Sequence, residues 1–470
     1  MRFLPLILTV FLALPMPVQA QRAHHLASGL QEFVVDDGET IALTNVRLID
    51  GTGAPAQNGV TILIENGRIA GVGQDVQVPA FASVHDLGGH TVFPGFVGLH
   101  NHTFYTTSER RVQSSDTAPL LYLASGVTTI RTTGSYAPYS ELNLREAIQL
   151  GQRIGPRMFV TGPYITGGEG MTYMTRLSGV EDARRVVRYW AEEGVDWIKA
   201  YTLITREELA AAVDEAHQQG VKVTGHLCSV SFKEAVAAGI DNLEHGFFTN
   251  TDYDTDRALD TCPSDFRNSL LEVDLESDEV QSTFQAMIDA GVPMTSTLAV
   301  YEMYVPNRPP LEQRTLDAMS EEVRADFLLT RAGIAEQNSE LWTRLFPKAQ
   351  AFERAFVEAG GLLAAGVDPT GYGAALPGFG DQRNYELLRE AGFSAEETVQ
   401  IMSLNGARVL GIDDQTGSVE VGKEADLIVI SGTPDLMPAG IRNVTMVFRN
   451  GIAYDSAKLI EEVRGQVGIR

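Results

Sequence analysis

The sequence predicts an α/β protein, a parallel (β/α)8 TIM barrel joined to a small composite β-sandwich formed by both chain ends. Three observations predict it. Short apolar runs alternate with helical stretches through the middle of the chain, hairpin texture marks both ends, and histidines recur where apolar runs stop. With 470 residues the chain is too long for one small domain.

Residues 1–20, MRFLPLILTVFLALPMPVQA, set Arg2 before a mostly apolar run that ends in Val18-Gln19-Ala20. Small residues at the −3 and −1 positions make this the pattern of a cleaved signal peptide. Pro15, Pro17 and the shortness of the run argue against a membrane anchor, which needs about 20 apolar residues. A mature chain starting at Gln21, periplasmic or secreted, is expected.

Residues 21–93 read as the N-terminal part of the β-sandwich. Two β-rich runs meet at Asn66-Gly67, the strongest short hairpin signal. Residues 415–470 read as its C-terminal part, and Asn450-Gly451 repeats the signal.

Between them, 94–414 read as the barrel. Its strand-like runs are GFVGLHNH (95–102), GVTTIR (126–131), RMFVTG (157–162), VDWIKAY (195–201), VKVTGH (221–226), IDNLEH (240–245), VPMTST (292–297) and LLAAGVD (362–368). Helix ends are marked too. Thr205 with Glu208, and Ser394 with Glu397, form capping boxes, while Gly220 and Gly411 close the helices they open. Between 245 and 368 there is far more chain than the ~30 residues each βα unit needs. An insertion around 246–350, over the barrel mouth, is expected.

Composition narrows the chemistry. Lys and Arg number 36 against 61 Asp and Glu, a formal net charge of −25. No basic face is available for nucleic acid. The two cysteines, Cys228 and Cys262, cannot build a Cys-rich metal site, so any metal ligands are His and carboxylate. Whether they pair is left open.

His100 and His102 end the first run; strand period two points both imidazoles to one side. His226 ends the fifth run, His245 the sixth and Asp368 the eighth, with Lys199 near the end of the fourth. Strand C-terminal ends are where such barrels carry their chemistry.

The segments PGFVGLHNH, VDWIKAY, GHLCS, DNLEHG, AGVD and GSVEVGKEADLIVI resemble the amidohydrolase superfamily over essentially the whole chain after residue 20. The overall likeness is to imidazolonepropionases. Lys199, which those enzymes lack, points to the binuclear Xaa-Pro dipeptidase, carboxypeptidase and dihydroorotase branch. The resemblance implies two divalent ions, taken as Zn²⁺, with His100, His102 and Asp368 on one, His226 and His245 on the other, and Lys199 bridging as a carbamate. It implies cleavage of an amide or peptide-like C–N bond in a small molecule or short peptide by a metal-bridging hydroxide, with Asp368 moving the proton. Lactone, ester or phosphotriester hydrolysis at the same ligands, or a non-catalytic periplasmic metal or ligand binder, are the alternatives. An oligomer is left open.

Ser229 stands where deaminase-like members have Glu, Thr132 where relatives commonly have Asp, and Glu169 where many peptidase-like relatives have His. A carboxylate at 169 facing the site would favour cationic or neutral substrates. Arg131, Tyr164, Glu169 and Tyr201 lie at or beyond strand ends and are expected around the substrate; Arg131 or a Tyr is suited to a substrate carboxylate.

Overall fold

The computed structural model describes residues 25–168 and 170–469. The expected signal peptide and Glu169 lie outside the described residues. No helix among the described residues is long and apolar enough to cross a membrane.

Each of the eight apolar runs contains a parallel strand. The first is Phe96–Asn101, followed by Val127–Thr132 and Arg157–Phe159 in one sheet. Thr161–Thr166, Trp197–Ala200, Lys222–Gly225, Asn242–Glu244, Met294–Ser296 and Leu363–Ala365 continue in order in a second sheet. The break between sheets falls inside the predicted third strand, at Val160. There the backbone N–H turns to the Asp196 carboxylate at 2.7 Å instead of pairing in a ladder. A parallel bridge between Ser135 and Pro163 spans the two sheets. On the far side, the Asp368 N–H donates to the His100 carbonyl at 2.7 Å, so the eighth run reaches back to the first.

That approach depends on Gly366. A Cβ there would lie 2.3 Å from the His100 nitrogen, so any side chain would push the eighth strand away.

Both predicted capping boxes form. Thr205 and Glu208 open the helix Arg206–Gln218, and Ser394 and Glu397 open Ala395–Met402. The second helix breaks at Ser403 before a further turn, Leu404–Leu410, that Gly411 closes in the left-handed conformation.

Both chain ends contribute to one nine-stranded sheet among the described residues. Strand His90–Pro94 pairs antiparallel with Leu427–Ser431 and joins the two ends. Leu43, Val46, Ile62, Val92, Leu427 and Phe448 are buried together on it. Asn66 and Gly67 turn one hairpin and Asn450 and Gly451 another, all four at positive φ, as a two-residue turn of this hand requires.

The segment after the sixth strand is mainly helical, including Asp278–Ala290, Glu321–Gln337 and Glu340–Glu358. Cys228 and Cys262 form a disulfide that ties the start of this insertion to the loop after the fifth strand.

Candidate metal centre

Strand ends deliver the expected ligands to one place. His100 and His102 leave the first strand together, their ring centroids 5.3 Å apart. The His245 ring lies 4.5 Å from that of His100 and 4.3 Å from that of His226. Asp368 faces three imidazoles: its Oδ1 is 3.3 Å from His102 Nε2, and its Oδ2 is 3.6 Å from His100 Nε2 and 3.9 Å from His245 Nε2. One nitrogen each from His100 and His245 and one Asp368 oxygen lie within 4.8 Å of one another, close enough to hold one ion.

Two of these residues leave their strands in an unusual backbone shape. His245 has φ 68° and Asp368 φ 48°, in the left-handed region that costs a non-glycine residue energy. At His245 the turn breaks strand alternation, so Glu244 and His245 both point towards His100 although adjacent in sequence. Thr297 Oγ1 lies 2.7 Å from His245 Nδ1, which leaves Nε2 for the centre.

Glu244 is the residue that sequence reasoning missed. It is fully buried, and its Oε2 lies 2.8 Å from His100 Nδ1. Its Oε1 accepts from Arg131 Nη2, Thr224 Oγ1 and, at 2.9 Å, Asn242 Nδ2. Its signal was an acid inside a strand run, directly before a candidate ligand, a position tolerated only with partners. Arg131 belongs to this network and not to the cavity wall. Its guanidinium is fully buried against Glu244, its Nε donates to the Leu99 carbonyl at 2.8 Å, and it lies over the Trp197 ring. Strand position placed it near the site without showing that it faces inward beneath it.

Electrostatics favour metal ligation. Burial first, then the nearby Lys199 cation, keeps His100 and His226 well below the usual histidine range. Burial and the His226 and His100 rings do the same for His245. These imidazoles are therefore neutral at pH 7 with a lone pair to offer. Burial would raise Asp368, but the His100 and His102 rings and the Thr370 hydroxyl hold it down to about 2, fully ionised. Burial pushes the Lys199 ammonium down to about 8, against the pull of Glu244. The Lys199 Nζ and His245 Nε2 atoms are buried without a hydrogen-bond partner. Unpartnered nitrogens able to offer a lone pair, beside an ionised carboxylate, fit a cation-bridged centre better than a dry core.

The centre opens into a cavity of about 440 Å³ lined by His100, His102, Lys199, His226 and Asp368. Tyr164 and Tyr201 line it as expected, with ring centroids 5.3 Å apart and the Tyr164 hydroxyl 3.5 Å from His102 Nε2. Burial raises both phenols, so they stay protonated donors. Thr132 does not reach the cavity; its hydroxyl accepts the Thr161 N–H at 3.0 Å. The insertion supplies Arg267, Tyr301, Tyr304 and Trp342, and the hairpin after the first strand supplies Arg111. None of these five carries a sequence motif; each comes from a segment whose path the sequence does not specify.

Residues 91–453 match the model of the amidohydrolase family. The imidazolonepropionase of Nocardia farcinica is 25% identical over 404 residues, covering 84% of this chain and 91% of that one. A putative prolidase from Bifidobacterium longum superposes with a TM-score of 0.67 at 26% identity, over 90% of this chain and 99% of that one. A Xaa-Pro dipeptidase solved with methionine in its active site superposes with a TM-score of 0.67 at 22% identity, over 88% of this chain and all of the other.

Proposed function

Because the chain belongs to the amidohydrolase family, metal-dependent hydrolases acting on C–N bonds, we propose that it is an exported peptidase or amidase with a binuclear centre. The observation that carries this is the convergence of His100, His102, His245 and Asp368 beside His226 and a buried, unpartnered Lys199 amine.

In this reading His100, His102 and Asp368 hold one ion and His226 and His245 the second. Lys199, as a carbamate, would supply an anionic oxygen ligand to them. Only a neutral amine adds CO2, and an amine brought down to about 8 spends an appreciable fraction neutral at pH 7. The ions, when bound, would polarise a carbonyl and bring the pKa of water to about 7. The remaining work falls to side chains. Asp368, ionised at neutral pH, takes up the proton of the attacking water on a carboxylate oxygen and returns it to the leaving nitrogen. Tyr164 and Tyr201, kept protonated by burial, can donate to the oxygen on which negative charge develops. Glu244 and Arg131 hold His100 from behind.

The proposal includes a closed (β/α)8 barrel over 94–414. The Ser135–Pro163 bridge and the Asp368-to-His100 bond at its two seams support it. The shared sheet of both ends supports a composite β-domain over 21–93 and 415–470. A disulfide in the structure and the apolar leader with small residues at 18 and 20 support export and a mature start at Gln21.

The test is hydrolysis by zinc-reconstituted mature protein of dipeptides and N-acyl amino acids, alongside ester, lactone and phosphotriester analogues. Cleavage of the amides supports the reading. Turnover confined to the other three classes, with two equivalents of zinc bound, overturns it.

A further inference from the structure

We propose that Arg267, delivered by the insertion after the sixth strand, is the anchor for a substrate carboxylate and selects carboxylate-terminated substrates with an aromatic or large apolar group beside it. The inference rests on the reading above and names the substrate class of that same site.

The observations concern charge in the cavity. In a chain with a formal net charge of −25, the described lining contains two arginines and a single carboxylate, Asp368. Asp368 is engaged by the imidazoles and the Thr370 hydroxyl. Arg267 is half-buried, and its Nε is buried without a hydrogen-bond partner. A guanidinium donor left unmatched inside a cavity costs energy unless something arrives to accept from it. A carboxylate matches the planar fork of guanidinium donors in two parallel bonds.

The two arginines differ. Arg111 is exposed and lies flat on the Tyr173 ring, 3.7 Å from its centroid. Its charge is felt by Tyr136 and Tyr173, at the rim. Arg267 lies over the Phe266 ring, 4.6 Å from its centroid, and meets the Tyr301 hydroxyl, and the Tyr301 ring stands 5.4 Å from that of His245. Of the two arginines, Arg267 is therefore the one packed next to the histidines of the proposed centre. The wall around it is aromatic. Its guanidinium stands 5.9 Å from the Trp342 ring, and Trp342 stacks on Tyr304 with centroids 5.0 Å apart. A flat apolar side chain next to the carboxylate would meet these faces.

The position of Arg267 is fixed by covalent chemistry as well as packing. Cys228, two residues after His226, is bonded to Cys262, five residues before Arg267. The disulfide, with its Cα atoms 5.0 Å apart, holds the chain leading to Arg267 against the loop that follows His226. Phe266, beside it, is buried.

The test uses the zinc-loaded mature protein and two readouts. In the first, binding of 3-phenylpropanoate and of its uncharged analogue 3-phenylpropan-1-ol, neither of which can be hydrolysed, is followed by calorimetry. The wild-type protein should bind the acid at least tenfold tighter, and Arg267→Met should lose about 10- to 100-fold on the acid alone. Arg267→Lys should recover part of the loss, and Arg111→Met should change the acid affinity less than threefold. In the second, kcat/KM is compared for matched peptides with free and amidated C-termini. Arg267→Met should erase the preference for the free acid, mainly through KM. Equal binding of acid and alcohol by the wild type, or an acid affinity that survives Arg267→Met, overturns the proposal; the latter would put the anion on the metal or on Arg111. Discrimination between acid and alcohol without hydrolysis of any amide would instead overturn the peptidase reading and leave the anchor standing.

Discussion

Glu244→Gln is the substitution on which the reading of the buried network turns. It keeps the volume and removes the charge. In the native protein Glu244 and Arg131 are both fully buried, and the carboxylate also receives His100, Thr224 and Asn242. Neutralising it strands the Arg131 cation in the interior, which costs about 3–5 kcal/mol. At roughly 2 cal/mol/K of unfolding entropy per residue, a chain of this size loses about 1 °C per kcal/mol, so Tm should fall by about 4 °C. The same change removes the group that orients His100 with Nε2 towards the centre. Loss of such a partner weakens zinc about 10- to 100-fold, measured by competition with a chelator. The two effects separate in the double variant Arg131→Met/Glu244→Gln. With no cation to strand, most of the stability should return, while the zinc deficit should remain. A single variant that keeps Tm within 1 °C and zinc affinity within twofold would refute the network's role. A double variant that regains zinc affinity along with stability would refute the assignment of Glu244 to His100.

Other perturbations check other parts. Asp368→Asn should retain most bound zinc yet lose at least a hundredfold in kcat, and parallel loss of metal and turnover would make Asp368 mainly a ligand. Cys228→Ser/Cys262→Ser opens a loop of about 34 residues, which removes up to ~4 kcal/mol of unfolded-state restraint. It should lower Tm by about 4 °C and raise KM for free-acid substrates more than for amidated ones. Glu353 is buried, bonded to the Ser296 hydroxyl at 2.8 Å, and pushed up by burial to about 8 from 4.5. Below pH 4.5 the folded and unfolded chains both hold this proton. Between 4.5 and 8 only the folded chain does, so stability falls as pH rises across that window, on the order of 4 kcal/mol in total. Glu353→Gln removes that slope, so its Tm relative to wild type should rise between pH 5 and pH 8. A pH-independent Tm difference would show that Glu353 is not held protonated.

The fold was legible where local chemistry decides it. Each of the eight short apolar runs holds a parallel strand, the third run holding parts of two, and the Thr205 and Ser394 caps and both Asn-Gly turns form as their side chains dictate. What the sequence did not reveal was set by contacts across long separations. Val160 leaves its ladder because a carboxylate 36 residues away takes its N–H. The pairing of Cys228 with Cys262 depended on where an insertion of unspecified path returned. The convergence of His100, His102, His226, His245 and Asp368 was legible because strand ends are fixed points of the architecture, whereas much of the cavity wall comes from loops.

Arg131 and Arg267 show the same limit. Arg131 sits at a strand end, where a site residue is expected, but strand position gives height along the strand and not what the side chain meets across it. Glu244, 113 residues later, takes its Nη2, and the Leu99 carbonyl takes its Nε. Arg267 lies in an acidic stretch with no periodic signal, and a tether to the loop after His226 brings it to the cavity. A fully buried arginine with a carboxylate partner stabilises the centre from behind and does not reach the cavity. An arginine in the wall with an unmatched donor is the one that can gain by binding. Each has one unmatched donor, so which of the two meets the substrate follows from where that donor lies, in the closed interior for Arg131 and in the cavity wall for Arg267. For that reason Arg131→Met should act through zinc affinity and Tm, and Arg267→Met through KM.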